Sequence, residues 1–235
     1  MQRVTLAAFA AVTVFSGLAI AHPTVASGPG FANKGSQKIT FGLAHGCDGA
    51  DTIKIKVDIP TTVTSIRALY SDFGRPTITR DPNNANPQTN VRSIEWVKGD
   101  TELDEDFAFY EFTLRGRIAD VPFTKILFTV TQTCKVPNAS PTTVVWDQPP
   151  ESTVGEPAPV LNVVPQRVAG WNKFVLTTAV AAEDVPLYFA DAQIVWRGTE
   201  AFSPNSNTRA MIQGTTGVTE LTTDLAVGDE IWVKY

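Results

Sequence analysis

Between Lys38 and Val164 apolar and polar residues alternate in eight short runs, and this period of two limits the fold more than any other feature of the chain. The runs are Lys38 to Phe41, Ile53 to Ile59, Ile66 to Tyr70, Val91 to Trp96, Phe107 to Leu114, Lys125 to Gln132, Thr142 to Trp146 and Val160 to Val164. Turn-rich segments such as Gly46 to Asp51 and Asp81 to Gln88 separate them, with no helical interlude. Sixteen Pro and 16 Gly in a Thr- and Val-rich background agree with short strands. The spacing predicts an all-β chain built on an antiparallel sandwich of immunoglobulin or fibronectin type III kind.

The chain divides near Pro165. Residues 22–165 form the sandwich, and residues 166–235 form a small β-rich module with strands at Asn172 to Leu176, Gln193 to Trp196, Val218 to Leu221 and Glu230 to Tyr235. One short helix is expected within Pro204 to Gly214. Ahead of both lies Arg3, an apolar stretch from Val4 to Leu18 and the small-residue site Ala19-Ile20-Ala21, which together read as a secretory signal peptide over residues 1–21. Cleavage after Ala21 makes His22 the first mature residue, leaves no membrane span and sends the protein to the periplasm or the outside. The net charge of −5, with 19 basic residues scattered singly, excludes nucleic acid as a partner.

An N-terminal His offers copper two nitrogens from one residue, the freed amine and the imidazole Nδ1, and such ligands suit Cu(II) above other first-row divalent ions. Pro23 has no N–H to lose, so the next peptide nitrogen cannot join the complex and further ligands must come from the fold. The competing explanation is that His22 follows the cleavage site by chance. Cys47 and Cys134 are the only cysteines. In an oxidising compartment a disulfide is expected, stabilising the fold by roughly 4 kcal/mol through chain entropy; a thiolate pair for Cu(I) is the alternative if the protein stays reduced.

Taken in order, these pieces resemble the YcnI-like family of extracytoplasmic bacterial copper-binding proteins. The resemblance covers about residues 22–165 and rests on His22-Pro23-Thr24-Val25, Gln37-Lys38-Ile39-Thr40-Phe41, His45-Gly46-Cys47-Asp48-Gly49, Lys54 to Pro60, Val91 to Trp96, Val130-Thr131-Gln132-Thr133-Cys134, Trp146 and Pro157-Ala158-Pro159. It implies a fibronectin-like sandwich whose mature N-terminal His binds Cu(II) in a single-histidine brace, with a Trp beside the metal and an acidic ligand. His22 matches the His and Trp146 matches the Trp. Members of that family carry a Glu a few residues after the His, whereas Ala26 to Asn33 contains no acid. Asp147, Glu151 or water is left to fill that position.

Other chemistry finds less support. The acidic run Asp100, Glu102, Asp104, Glu105 and Asp106 lacks the spacing of a calcium loop and reads as a solvated hairpin loop. His45 reads as a loop residue, so a two-histidine oxidative copper site has no second ligand. No nucleophile elbow, phosphate loop or zinc-type Cys/His cluster occurs. Trp171, Trp196 and Trp232 suit either a carbohydrate-stacking platform or the core of so small a unit, and the core is the expectation. The combined reading is an exported, non-enzymatic protein that binds Cu(II) through His22 and buffers it or delivers it to an extracytoplasmic acceptor. The alternative is an adhesion or carbohydrate-binding module in which His22 is incidental.

Overall fold

The computed structural model describes residues 22–44, 46–99, 103 and 108–235. The expected signal peptide, His45 and all five acids of the run at 100–106 lie outside the described residues.

Among the described residues, thirteen strands belong to the first unit. In chain order they are β1 (Thr24–Val25), β2 (Gly30–Phe31), β3 (Gln37–Leu43), β4 (Asp51–Asp58), β5 (Val63–Ala68), β6 (Thr77–Arg80) and β7 (Val91–Val97). There follow β8 (Tyr110–Ile118), β9 (Thr124–Leu127), β10 (Val130–Lys135), β11 (Thr142–Gln148), β12 (Glu156–Pro157) and β13 (Val160–Val164). A four-stranded sheet β1-β3-β8-β5 faces a six-stranded sheet β12-β11-β10-β4-β7-β6, and β2-β13-β9 form a third, smaller sheet. The sandwich is as expected, apart from two parallel pairs, β11 with β12 and β2 with β13.

The alternation in the sequence becomes the burial pattern. In β8, Tyr110, Phe112, Leu114, Gly116 and Ile118 point inward while Glu111, Arg115 and Arg117 point to solvent. Between the sheets Trp96, Phe41, Phe112 and Phe128 are fully enclosed, with Phe41 and Phe128 edge to face at 5.0 Å. Trp96 satisfies its indole N–H on the Leu69 carbonyl at 2.9 Å, so its burial leaves no donor stranded. Three expectations need adjusting. The run at Lys125 to Gln132 is two strands, because the chain changes sheet at Phe128–Thr129. The strand expected from Ile66 starts at Val63, and the one expected from Phe107, a residue outside the described ones, runs from Tyr110, after the 60% exposed Phe109.

The second unit contributes β14 (Trp171–Val175), a 3-10 turn at Ala182–Asp184 running into α1 (Val185–Tyr188), β15 (Ile194–Arg197), β16 (Glu200–Phe202), α2 (Ser206–Gly214), β17 (Thr219–Glu220) and β18 (Glu230–Lys234). Its sheet runs β14-β18-β15-β16-β17. Asn205 caps α2, its side-chain oxygen accepting from the amides of Asn207 and Thr208. One face of this sheet closes over a core of Leu176, Val185, Tyr188, Phe189, Val195, Phe202, Leu221, Ile231 and Val233. Phe123 and Val164 of the first unit belong to the same core. Trp171, Trp196 and Trp232 do not: their face of the sheet is turned to solvent, which overturns the expectation that they form the core.

Candidate functional site

β1 is the edge of the four-stranded sheet, and β12 with β11 forms the edge of the six-stranded one. His22 precedes β1, and Trp146 lies in β11. The two rings meet at this side of the sandwich, with centroids 6.2 Å apart and planes inclined by 37°. His22 is exposed, while the next residue, Pro23, is buried. The pairing of Thr24 with Gly42 and Val25 with Phe41 then holds the segment onto β3. So the sequence-expected pair, far apart in the chain, is brought together.

Trp146 is the only buried residue of β11, at 2% exposure. Its Nε1 donates to Gln132 Oε1 at 3.2 Å, and Gln132 Nε2 donates to Thr52 Oγ1 at 2.8 Å. Thr52 Oγ1 lies 3.8 Å from Cys134 Sγ. Register explains the column: Val130 opposes Trp146 and Gln132 opposes Val144, so Val130, Gln132 and Cys134 share the inward face of β10 with Trp146 beside them. Cys134 continues into a disulfide with Cys47, Cα atoms 5.8 Å apart, as the cysteine reading anticipated. The indole nitrogen is a donor without a lone pair in the ring plane, so Trp146 presents an oriented apolar wall beside His22 and no ligand atom.

The acidic position is a different matter. Asp147 follows Trp146 in the strand and therefore faces the other way; it is exposed and its Oδ1 accepts from Gln148 Nε2 at 2.6 Å. Glu151 is exposed in the turn beyond β11. The carboxylate residue that register sets beside Trp146 is Glu156, its partner on the parallel strand β12. Gly155 makes this return possible: its φ of +71° is one that side-chain-bearing residues rarely adopt, and a Cβ there would meet Gln148 Cγ at 2.8 Å. Among the described residues no three His, Cys, Asp or Glu side chains gather as a ready metal cage.

Sequence reading missed a buried polar triad near the disulfide. Lys98 Nζ lies 2.5 Å from Asp51 Oδ2 and donates to Tyr110 Oη at 2.9 Å, while Tyr110 Oη donates to Asp51 Oδ1 at 2.8 Å. The two charged side chains are 5% and 2% exposed. Burial pushes the Tyr110 phenol up to about 12, the Asp51 charge adding to it and Lys98 opposing it. Each member satisfies the others, as a buried charge requires. Asp51 sits next to Thr52 and pairs with Lys135 of β10, so the triad braces the same strand junction as the disulfide. Nothing in the local sequence marks it, since one Lys and one Asp 47 positions apart carry no motif.

The chain matches a protein-family model described as Domain of unknown function (DUF1775) over residues 22–163. No curated protein matches it. Among solved structures it is similar to a Nocardia farcinica protein described as having an immunoglobulin-like fold, with 24% sequence identity and a TM-score of 0.47 over 61% of this chain and 98% of that one.

Proposed function

Because the chain belongs to the DUF1775 family through its sandwich, we propose that it is an exported copper-binding protein, taking up Cu(II) at His22 and buffering it or passing it to an extracytoplasmic acceptor. The observation that carries this reading is the approach of His22 to Trp146, 6.2 Å between ring centroids, at an exposed edge of the fold.

Removal of the leader after Ala21 supplies an amine beside the His22 imidazole, and two nitrogens are a donor set that Cu(II) prefers. Pro23 is buried and lacks an N–H, so it fixes the residue behind the chelate without competing for the metal. Trp146 excludes water from one side, where a cation gains from the ring face. Glu156 is the residue we assign to the acidic position, from its register beside Trp146. A site of this kind leaves coordination positions open to an incoming ligand, which suits transfer better than permanent storage. The Cys47–Cys134 disulfide is compatible with an oxidising compartment, and no helix among the described residues is long and apolar enough to cross a membrane.

The test compares protein beginning at His22 with protein carrying one added Met. The electron paramagnetic resonance spectrum of the first with one equivalent of Cu(II) should show hyperfine coupling to one amine and one imidazole nitrogen. The added residue turns the amine into a peptide nitrogen, and affinity should fall by about a hundredfold. Equal affinity for the two proteins would sink the proposal.

A further inference from the structure

The sheet of the second unit has one face on the core and one in water, and the outer face is aromatic. Register defines it. Trp232 of β18 lies directly opposite Lys173 of β14 on one side and Trp196 of β15 on the other. Trp171 opposes Lys234, which puts it diagonal to Trp232 on the same face. The remaining rung pairs Val175 with Glu230. Trp171 is 51% and Trp232 44% exposed, although a sheet this small has every reason to bury its largest side chains. Together with Trp196, Gly198 and Glu230 they line an open groove of about 720 Å³, within the range of small-molecule sites.

The polar groups in the groove narrow its occupant. Lys173 Nζ lies 2.6 Å from Glu230 Oε2, and Trp232 Nε1 donates to Glu230 Oε1 at 3.0 Å. Those two hydrogen bonds hold the Glu230 carboxyl below its ordinary range, so it stays an ionised acceptor. Lys173 also sits over the Trp232 ring, 5.8 Å from its centroid. Lys173 and Glu230 cancel, so apart from Lys234, which register sets beside Trp171, the face carries no net charge with which to select phosphate or a charged peptide. What remains is a set of rigid flat rings with a hydrogen-bond acceptor and a donor at their edge. That combination complements a sugar ring, whose C–H face stacks on indole while its hydroxyls reach the carboxylate and ammonium. Strands spaced by about 4.8 Å set the outer tryptophans roughly 10 Å apart across the sheet, room for consecutive sugars of an extended chain.

We propose that this groove is a binding site for a neutral polysaccharide, with pyranose rings stacked on Trp232, Trp171 and Trp196 and hydroxyls held by Glu230 and Lys173. A second copy of the chain fits the face less well, because a twofold contact would bury the Lys173–Glu230 pair without giving it new partners. The site is independent of His22 and would tether whatever the sandwich does to a glycan surface.

Calorimetry of the full mature chain against cellohexaose and chitohexaose, with retention on insoluble cellulose and chitin at high salt, tests the assignment. Saturable binding to at least one of the two is expected. Trp232→Ala should weaken it about tenfold or more with an unchanged melting temperature, and His22→Ala should leave it intact. Should Trp232→Ala disturb folding, Trp171→Ala at the more exposed end is read in its place. Absence of binding to both sugars, loss of binding at high salt, or full binding by the Trp variants would overturn the proposal. So would a concentration-dependent dimer in sedimentation that Trp232→Ala abolishes, since the face would then be an interface between copies.

Discussion

Trp146 donates its indole N–H to Gln132 Oε1 at 3.2 Å, so the wall that stands beside His22 is oriented from behind by a fully buried amide. The same amide donates to Thr52, which reaches the Cys134 sulfur. Orientation of a surface site is thereby tied to the interior of the sandwich through one residue. Replacing Gln132 with Leu keeps the volume but strands the indole N–H and the Thr52 hydroxyl in a dry setting. The expected cost is about 1–3 kcal/mol in urea unfolding, with a changed Cu(II) spectrum while His22 is untouched. An unchanged spectrum alongside lowered stability would confine Gln132 to a structural part.

Carboxylate substitutions separate the two acids nearest Trp146. Glu156→Gln should weaken Cu(II) binding by about tenfold, since register puts Glu156 beside Trp146, whereas Asp147→Asn on the opposite face should leave it alone. The reverse ranking, read by competition against a chelator of known affinity, would return the acidic position to Asp147.

Strands were legible where apolar residues alternate for several positions, as in β4 and β8, because a buried face imposes a period of two. The split between β9 and β10 was not, since Ile126, Phe128 and Val130 keep alternating while the chain passes from one sheet to another. β1, β2 and β12 are two residues each and carry no pattern, yet β1 follows His22 and β12 brings Glu156 to Trp146. His22, Trp146 and both cysteines were readable as residue types at telling places. The facing of Asp147 was readable too, as neighbours in a strand point apart. The tryptophans misled through bulk: size argued for the core, while their alternation with Asn172, Ile231 and Val233 set them on the face of Lys173 and Glu230.

Alkaline pH should expose the buried triad. The Tyr110 phenol titrates near 12 in the folded chain and near 10 when unfolded, so folding favours its neutral form. That stabilisation is fully present below about pH 10 and is lost as pH rises from there towards 12, on the order of 2 kcal/mol in all. Urea unfolding at about pH 9 should show Tyr110→Phe less stable than the parent by about 1–3 kcal/mol, because Asp51 and Lys98 each lose a partner. At about pH 11 the gap should narrow. A gap independent of pH would mean that Tyr110 titrates normally.

Phe123 decides whether the two units melt together. It lies between β8 and β9 of the sandwich, yet its ring is buried in the other core, 6.0 Å from Phe174, 5.8 Å from Tyr188 and 5.6 Å from Phe189 by centroid. Its amide donates to the Val163 carbonyl at 2.7 Å, and Lys125 reaches Asp184 at 2.7 Å just beyond it. The backbone sits at φ +62°, a conformation that costs a bulky residue and persists only because these contacts fix it. Phe123→Ala removes the plug and should cost about 3–5 kcal/mol, and calorimetry is expected to show one transition for the parent and two for the variant as the units uncouple. Phe123→Gly loses the same ring but relieves the strained φ, and should be no less stable than the Ala variant, by about 1 kcal/mol in its favour. One sharp transition in both variants, shifted by little, would show that the coupling runs through the Lys125–Asp184 ion pair and the Arg167 guanidinium over the Phe31 ring instead.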